Sequence, residues 1–394
     1  MKIVVLLSRV PYPLEKGDKL RAYHQIVGLS QQHEIYLIAL CDLPLHPETL
    51  VKLQPFCKEI HILKLTRWSK FLNVCRAFFK GLPFQCGYFY RKKAQRQIDR
   101  ILERVQPDVL YAQMVRVAEY IKDKNINKVI DYQDVLSKGM YRRYEQSRWW
   151  LKPFFKAEFR RLQQYEKKLL PLFDHRTIIT DVDKDLIPHP AELPIEVVPN
   201  GVDFEHYRYQ GEAKIYDLIF TGNMNYPPNV SAAEYIVNQL LPTLKKRFPQ
   251  LTTVICGASP APRVAALARA DVIVTGWVDN IAEYYAKSRI FLAPMQLGTG
   301  LQNKLLEAMS MQLPCITSSL AGKPLMQANN ADNNFMVCHS KTEYIEAIAL
   351  LLTNPEKYRE IAENGYQFVR KYYDWKVSNE LLLKVLEKTM NNER

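Results

Sequence analysis

The residues best placed to do chemistry lie in Gly298-Thr-Gly-Leu-Gln-Asn-Lys-Leu-Leu-Glu307. Gly298 and Gly300 let the backbone turn tightly and bring its amides close to a ligand. A helix starting near Leu301 then aims its unpaired N–H groups, and the positive end of its dipole, at whatever lies over that loop. Anions, phosphates above all, bind in such places. At about 100° per residue, Gly300, Lys304 and Glu307 share one face, while Leu305, Leu306 and Met309 turn toward a core. A cation in the first turn and a carboxylate one turn later suit a ligand with both a phosphate and a hydroxylated ring, as in a nucleotide sugar. A second anion-facing helix start follows from Gly17, with Lys19, Arg21 and His24 behind it.

Strands must carry these loops. Arg289-Ile-Phe-Leu-Ala293 precedes the first one and Cys315-Ile-Thr-Ser318 follows its helix, so the unit reads strand, loop, helix, strand. Asp217-Leu-Ile-Phe220, Thr253-Val-Ile-Cys256 and Val272-Ile-Val-Thr275 supply more strands. In the first half, Ile3–Leu7, Glu34–Leu40, Glu59–Leu63, Val109-Leu110, Lys128–Asp131 and Arg176–Thr180 read the same way. Alternation with helical stretches predicts α/β domains with mostly parallel sheets. Two Rossmann-like domains in tandem would place a cleft between their strand C-terminal edges. The proline-rich run Pro188 to Pro194 and the polar stretch His206 to Lys214 put the boundary there. The expected division is 1–195, a linker at 196–212, a second domain at 213–372, and a final helix at 373–394.

The chain of 394 residues is 47% hydrophobic and 24% charged, an ordinary globular balance. Its net charge of +13 implies an anionic partner without choosing among nucleic acid, acidic lipid and phosphorylated substrate. Seven scattered cysteines with no Cys-x-x-Cys fit reduced thiols and a cytoplasmic setting. The N-terminal apolar run is too short for a signal peptide, and no later segment approaches a membrane span. Asp181-Val-Asp183 resembles a metal-binding pair, but it follows a strand where an aspartate can cap a helix, and no second cluster offers ligand spacing. The eight histidines form no pair at helical spacing, so no metal is expected.

Two segments, 68–96 and 141–168, interleave aromatic and basic residues. They read either as amphipathic helices with aromatics packed inward or as a peripheral contact with an anionic membrane, at the inner face of the plasma membrane. No nucleic-acid motif is present, and nucleic acid is not expected as a partner.

Val198-Pro-Asn-Gly-Val-Asp203, Phe220-Thr-Gly-Asn-Met-Asn225, Gly276-Trp-Val-Asp279 and Leu306-Glu-Ala-Met309 give the second half a resemblance to retaining glycosyltransferases of the GT-B fold, family four. Pro11-Tyr-Pro13, Gly17–His24 and Val129–Lys138 resemble bacterial sugar transferases found with exopolysaccharide and PEP-CTERM loci. The resemblance implies a UDP- or GDP-linked sugar as donor and no separate cofactor. It assigns the ribose hydroxyls to Glu307 and the diphosphate to the amides around Gly300, Leu301 and Gln302. It places Gly276 and Val278 at the base, Gly222 and Asn223 among the donor contacts, and Gly17 at the donor phosphate from the first domain. The final helix would cross back onto that domain. The family glutamate eight positions before Glu307 is replaced by Thr299, and a customary Arg and Lys after Phe220 are missing. Lys304 is therefore expected to meet the departing diphosphate, with help from Lys19 or Arg21. The acceptor hydroxyl would approach near Asp131, Asp134 and His24, with Asp134 as proton acceptor or positioning group. The expected activity is sugar transfer with retention to a glycan or lipid-linked acceptor in surface polysaccharide synthesis. The competing readings are a GT-B-fold nucleotide-sugar epimerase and a non-catalytic glycan- or membrane-binding protein.

Overall fold

The computed structural model describes all residues except 66–76, 78, 80, 298, 299, 327–332 and 392–394. The chain forms two compact units, Met1–Pro199 with Ser378–Arg394, and Asn200–Val377.

The first unit is built on seven strands: β1 (Lys2–Leu7), β2 (Glu34–Cys41), β3 (Glu59–Lys64), β4 (Val109–Gln113), β5 (Asn127–Asp131), β6 (His175–Ile178) and β7 (Glu196–Val197). Their order is β3-β2-β1-β4-β5-β6-β7, parallel throughout. Strands this apolar on both faces need helices on both sides. Ile3, Val5 and Leu7 point into one core and Val4 and Leu6 into the other. The second unit repeats the plan with β8 (Tyr216–Thr221), β9 (Thr253–Cys256), β10 (Val272–Val274), β11 (Ser288–Ala293), β12 (Cys315–Ser318) and β13 (Met336–Cys338), in the parallel order β10-β9-β8-β11-β12-β13. Each sheet reverses its winding beside its first strand, at β1/β4 and at β8/β11. A doubly wound sheet binds ligands at that switch point, outside the strand C-termini.

Six helices carry the candidate residues or pack against them: α1 (Gly17–Ser30), α2 (Leu136–Gln146), α3 (Lys152–Leu169), α4 (Pro227–Tyr235), α5 (Asn303–Ser310) and α6 (Trp375–Asn391). From Ser378 onward α6 belongs to the first unit. Its Leu382, Val385 and Leu386 join the core formed by Ile3, Val5, Ala22 and Ile26, and Lys388 pairs with Glu196 at 2.7 Å. Gly28 of α1 makes this packing possible: a β-carbon there would lie 2.0 Å from Asn379 Nδ2, the atom that donates to the His24 carbonyl at 3.2 Å.

Residues 196–212, read from the sequence as a linker, are divided between the units. Glu196-Val197 is an edge strand on β6 and Val198 is buried in the first core. Phe204, Tyr207 and Tyr209 pack on the second. Their apolar surface is what attaches a stretch that is polar in composition.

Candidate functional site

Strands β8, β9, β10 and β11 end on one edge of the second sheet, and the loops that leave them carry the residues singled out in this half. After β8 the chain turns through Gly222 (φ +153°), and after β9 through Gly257 (φ +145°). These loops touch: Gly222 N–H donates to the Cys256 carbonyl at 3.1 Å, and a β-carbon on Gly257 would fall 1.8 Å from the Gly222 oxygen. Only glycine at both positions permits this approach. Gly276 (φ +70°) closes the row after β10, and its carbonyl accepts from Gly257 N–H at 3.2 Å. Val278 packs on the core, while Trp277 between them is exposed.

Helix α5 follows the β11 loop. It begins at Asn303, two residues after the position read from the sequence, because Gly300 (φ +71°) and Leu301 still belong to the turn. The Gln302 side chain does not cap this N-terminus; its Nε2 donates to the Gly300 carbonyl at 3.3 Å. Gly298 and Thr299 lie outside the described residues.

Lys304 and Glu307 do share a face of α5. Lys304 Nζ donates to Asn229 Oδ1 at 2.6 Å and stands 4.7 Å from the centre of the Phe220 ring. Asn229, buried on α4, is held in turn by donating Nδ2 to the Asn223 carbonyl at 3.0 Å. Both neighbours of the ammonium are neutral, so burial pulls Lys304 down to about 7, opposed only by Glu307. The Glu307 carboxylate accepts from the Tyr285 hydroxyl at 3.0 Å and from Tyr207. Tyr285 is fully buried and shares a further bond of 2.7 Å with Thr221. Burial raises Glu307, against the pull of Tyr285, Lys304 and Tyr207. The face is thus an ammonium easily discharged beside a carboxylate fixed by two phenols. It is suited to an anion at one end and hydroxyls at the other.

Asn229, Tyr207 and Tyr285 escaped the reading of the sequence. They lie well upstream of Glu307, on three separate stretches of chain, and none has a motif of its own. The Pro227-Pro228 pair that displaced the expected cations was the one usable signal, since proline opens a helix and so places Asn229 in its first turn.

The remaining residues sit in the first unit. Gly17 begins α1 and is exposed, with no side-chain cap at Lys16. Lys19 lines a cavity of about 360 Å³ with Arg9, Tyr12, Lys16 and His46. Arg21 is not available to a ligand as expected. Its Nε donates to Asp131 Oδ2 at 2.6 Å, and both side chains are wholly buried. Asp131 also accepts from Tyr111 at 2.8 Å and from Gln133 N–H at 3.2 Å. Charges this deep must be paired, which takes Arg21 and Asp131 away from the surface. His24 lies two turns into α1, about 10 Å along its axis from Gly17, with its ring edge-on to Tyr23. Asp134 is exposed at the end of the β5 loop. The protein around its carboxyl and the neighbouring Asp183 push it up to about 6. In Asp181-Val-Asp183 the cap is Thr180, not an aspartate: Thr180 Oγ1 accepts from Asp183 N–H at 3.0 Å and donates to its carboxylate at 2.6 Å. Among the described residues no three His, Cys, Asp or Glu side chains gather as a metal site.

Residues 216–354 match the protein family described as "Glycosyl transferases group 1". The solved structure of a sucrose-phosphate synthase from Thermosynechococcus elongatus superposes with a TM-score of 0.70 at 13% identity, covering 100% of both chains. That of Anabaena HepE in complex with UDP does so with a TM-score of 0.68 at 13% identity, covering 98% of this chain and 100% of its own. An uncharacterized 44.6 kDa protein in the cps region of Klebsiella pneumoniae is 22% identical over 95% of this chain and 97% of its own. Two parallel Rossmann-like sheets with these neighbours define the GT-B fold. With a glycosyltransferase group 1 domain over the second sheet, the protein is a glycosyltransferase.

Proposed function

We propose that the protein transfers a sugar from a nucleoside diphosphate sugar, with retention and in the manner of family four, to a hydroxyl of a glycan or lipid-linked acceptor. The carrying observation is the Lys304–Glu307 face, set among the glycine turns at the C-terminal edge of the second sheet. Glu307 keeps acceptor capacity for ribose hydroxyls beyond its bonds to Tyr207 and Tyr285. Lys304 takes the charge that grows on the departing diphosphate, together with the first amides of α5. A lysine easily discharged before binding gains most from an arriving anion. No metal or cofactor is assigned a part in the transfer.

The acceptor is assigned to the first unit. Asp134, raised to about 6, is ionised at neutral pH and basic enough to take or orient a hydroxyl proton. The HepE structure, which holds UDP, supports a uridine nucleotide, and the cps-region relative supports surface polysaccharide as the setting.

The test is nucleotide release from UDP-, GDP- and ADP-sugars, with and without a cell-envelope glycolipid extract, with EDTA present. Acceptor-dependent release with one donor supports the proposal. Isomerised sugar without release points to an epimerase, and neither outcome points to a binding protein.

A further inference from the structure

The sequence left the aromatic residues of 141–168 with two readings, and the structure separates them residue by residue. Leu162, Tyr165 and Leu169 of α3 are buried, and Phe159 packs on Tyr141 of α2 with ring centres 5.2 Å apart. These hold the helical hairpin together. Trp149 and Trp150, in the turn that joins α2 to α3, are instead 83% and 55% exposed, and Phe154 in the first turn of α3 is 50% exposed. Phe154 is nonetheless fixed, stacked on Phe84 at 5.2 Å, with Arg161 over the Phe84 ring. Three large aromatic side chains within six residues therefore stay in water on a firmly packed support.

Charge surrounds them. Between 141 and 161 the chain carries seven Arg or Lys and two carboxylates. One of the two, Glu158, is buried and accepts from Phe84 and Gln85 N–H, which leaves Glu145 as the segment's own exposed carboxylate, while Arg142 at its start lies near Asp134 and Asp183. Arg143, Arg148, Lys156 and Arg160 are all exposed. Tryptophans prefer the boundary between headgroup and acyl chain, and cations beside them are drawn to acidic headgroups. No helix among the described residues is long and apolar enough to cross a membrane.

We infer that the α2–α3 turn docks on a bilayer bearing anionic headgroups, with Trp149, Trp150 and Phe154 entering the interface and Arg148 and Lys156 meeting the phosphates. The placement suits the reaction, and in this it rests on the proposed lipid-linked acceptor. Asp134 lies just ahead of α2, whose 11 residues span about 16 Å to the turn. An acceptor anchored in the bilayer would then need only a short sugar–phosphate reach. The segment 68–96, read from the sequence in the same way, lies partly outside the described residues.

Flotation of the full chain with phosphatidylcholine vesicles, with and without phosphatidylglycerol, tests this. Binding is expected only with phosphatidylglycerol, weakening as salt rises. Arg148→Gln with Lys156→Gln should lower partitioning about 25-fold, at about five-fold per cation. Trp149→Ala with Trp150→Ala should lower it at least about tenfold. Equal binding to neutral vesicles, anionic binding that neither variant changes, or binding to polyuridylate RNA with none to vesicles would each overturn the inference. All these side chains are exposed, and an unchanged circular dichroism spectrum confirms folding. Donor binding by the variants, measured without membrane, should match wild type, so failure here is distinct from failure of the transferase reading.

Discussion

Lys304 should bind a proton when the donor binds, and the donor's affinity should follow that proton. Without ligand, burial beside Asn229 and Phe220 holds the ammonium near 7, well below the usual lysine value. At pH 8 only about one molecule in eleven carries the charge. A diphosphate beside Nζ stabilises the charged form and raises its pKa, so binding at pH 8 should take up close to one proton. The protonated form is the one that binds well. Affinity should therefore fall about tenfold per pH unit above 7, or about 1.4 kcal/mol per unit, until the pKa of the complex is reached. A nucleotide sugar has no further phosphate proton to lose in this range, so below the titration of its uracil N–H the slope belongs to the protein, and Lys304→Met carries whatever slope the base contributes. Calorimetric titration with UDP-glucose from pH 7.5 to 9, in two buffers of different ionisation enthalpy, measures both quantities. Lys304→Met should bind weakly with no slope beyond that of the base and no proton uptake at pH 8. A flat wild-type profile, or a slope that survives undiminished in Lys304→Met, would refute the assignment.

The same depressed value carries a stability consequence. Between about pH 7 and the ordinary lysine pKa the unfolded chain binds more protons than the folded one, so stability rises with pH there. Lys304→Met should flatten that rise in chemical denaturation and be more stable than wild type at pH 7. Arg21→Met or Asp131→Asn should each destabilise the fold by about 3–5 kcal/mol, because each strands a buried partner; urea denaturation decides, and a loss under about 1 kcal/mol would contradict the buried pair. Gly28→Ala should cost about 1–3 kcal/mol through its clash with Asn379, less in an Asn379→Ala background, where only the β-carbon at 2.9 Å remains in the way, and least in Asn379→Gly. If Asp134 acts as the proton acceptor, turnover should fall as pH drops through about 6, and Asp134→Asn should be slow at every pH.

Regular elements were legible because each has a local cause. An apolar run such as Ile3–Leu7 has nowhere to go but the middle of a parallel sheet. The tight turn expected at Gly300 also has a local cause, its backbone at φ +71°. Arg21 misled because a cation one turn into a helix looks the same in sequence whether it faces a phosphate or a carboxylate 110 residues away. The polar composition of 196–212 misled for a related reason: Tyr207 and Tyr209, spaced among charges, are the residues that attach it. Burial of a few aromatic rings outweighs an average over the stretch.

By itself, then, the sequence determined the two doubly wound sheets, the loop-and-helix at Gly300 to Glu307, and the pairing of Lys304 with Glu307 on one helical face. Those follow from periodicity and backbone conformation, which act over a few residues. Only the tertiary structure decided what surrounds that face. Neutral Asn229 and the Phe220 ring, not a carboxylate, lie against Lys304. Tyr207 and Tyr285, from separate stretches of chain, fix Glu307. A charge's environment is set by whatever packing brings within a few ångströms, and packing ignores distance along the chain.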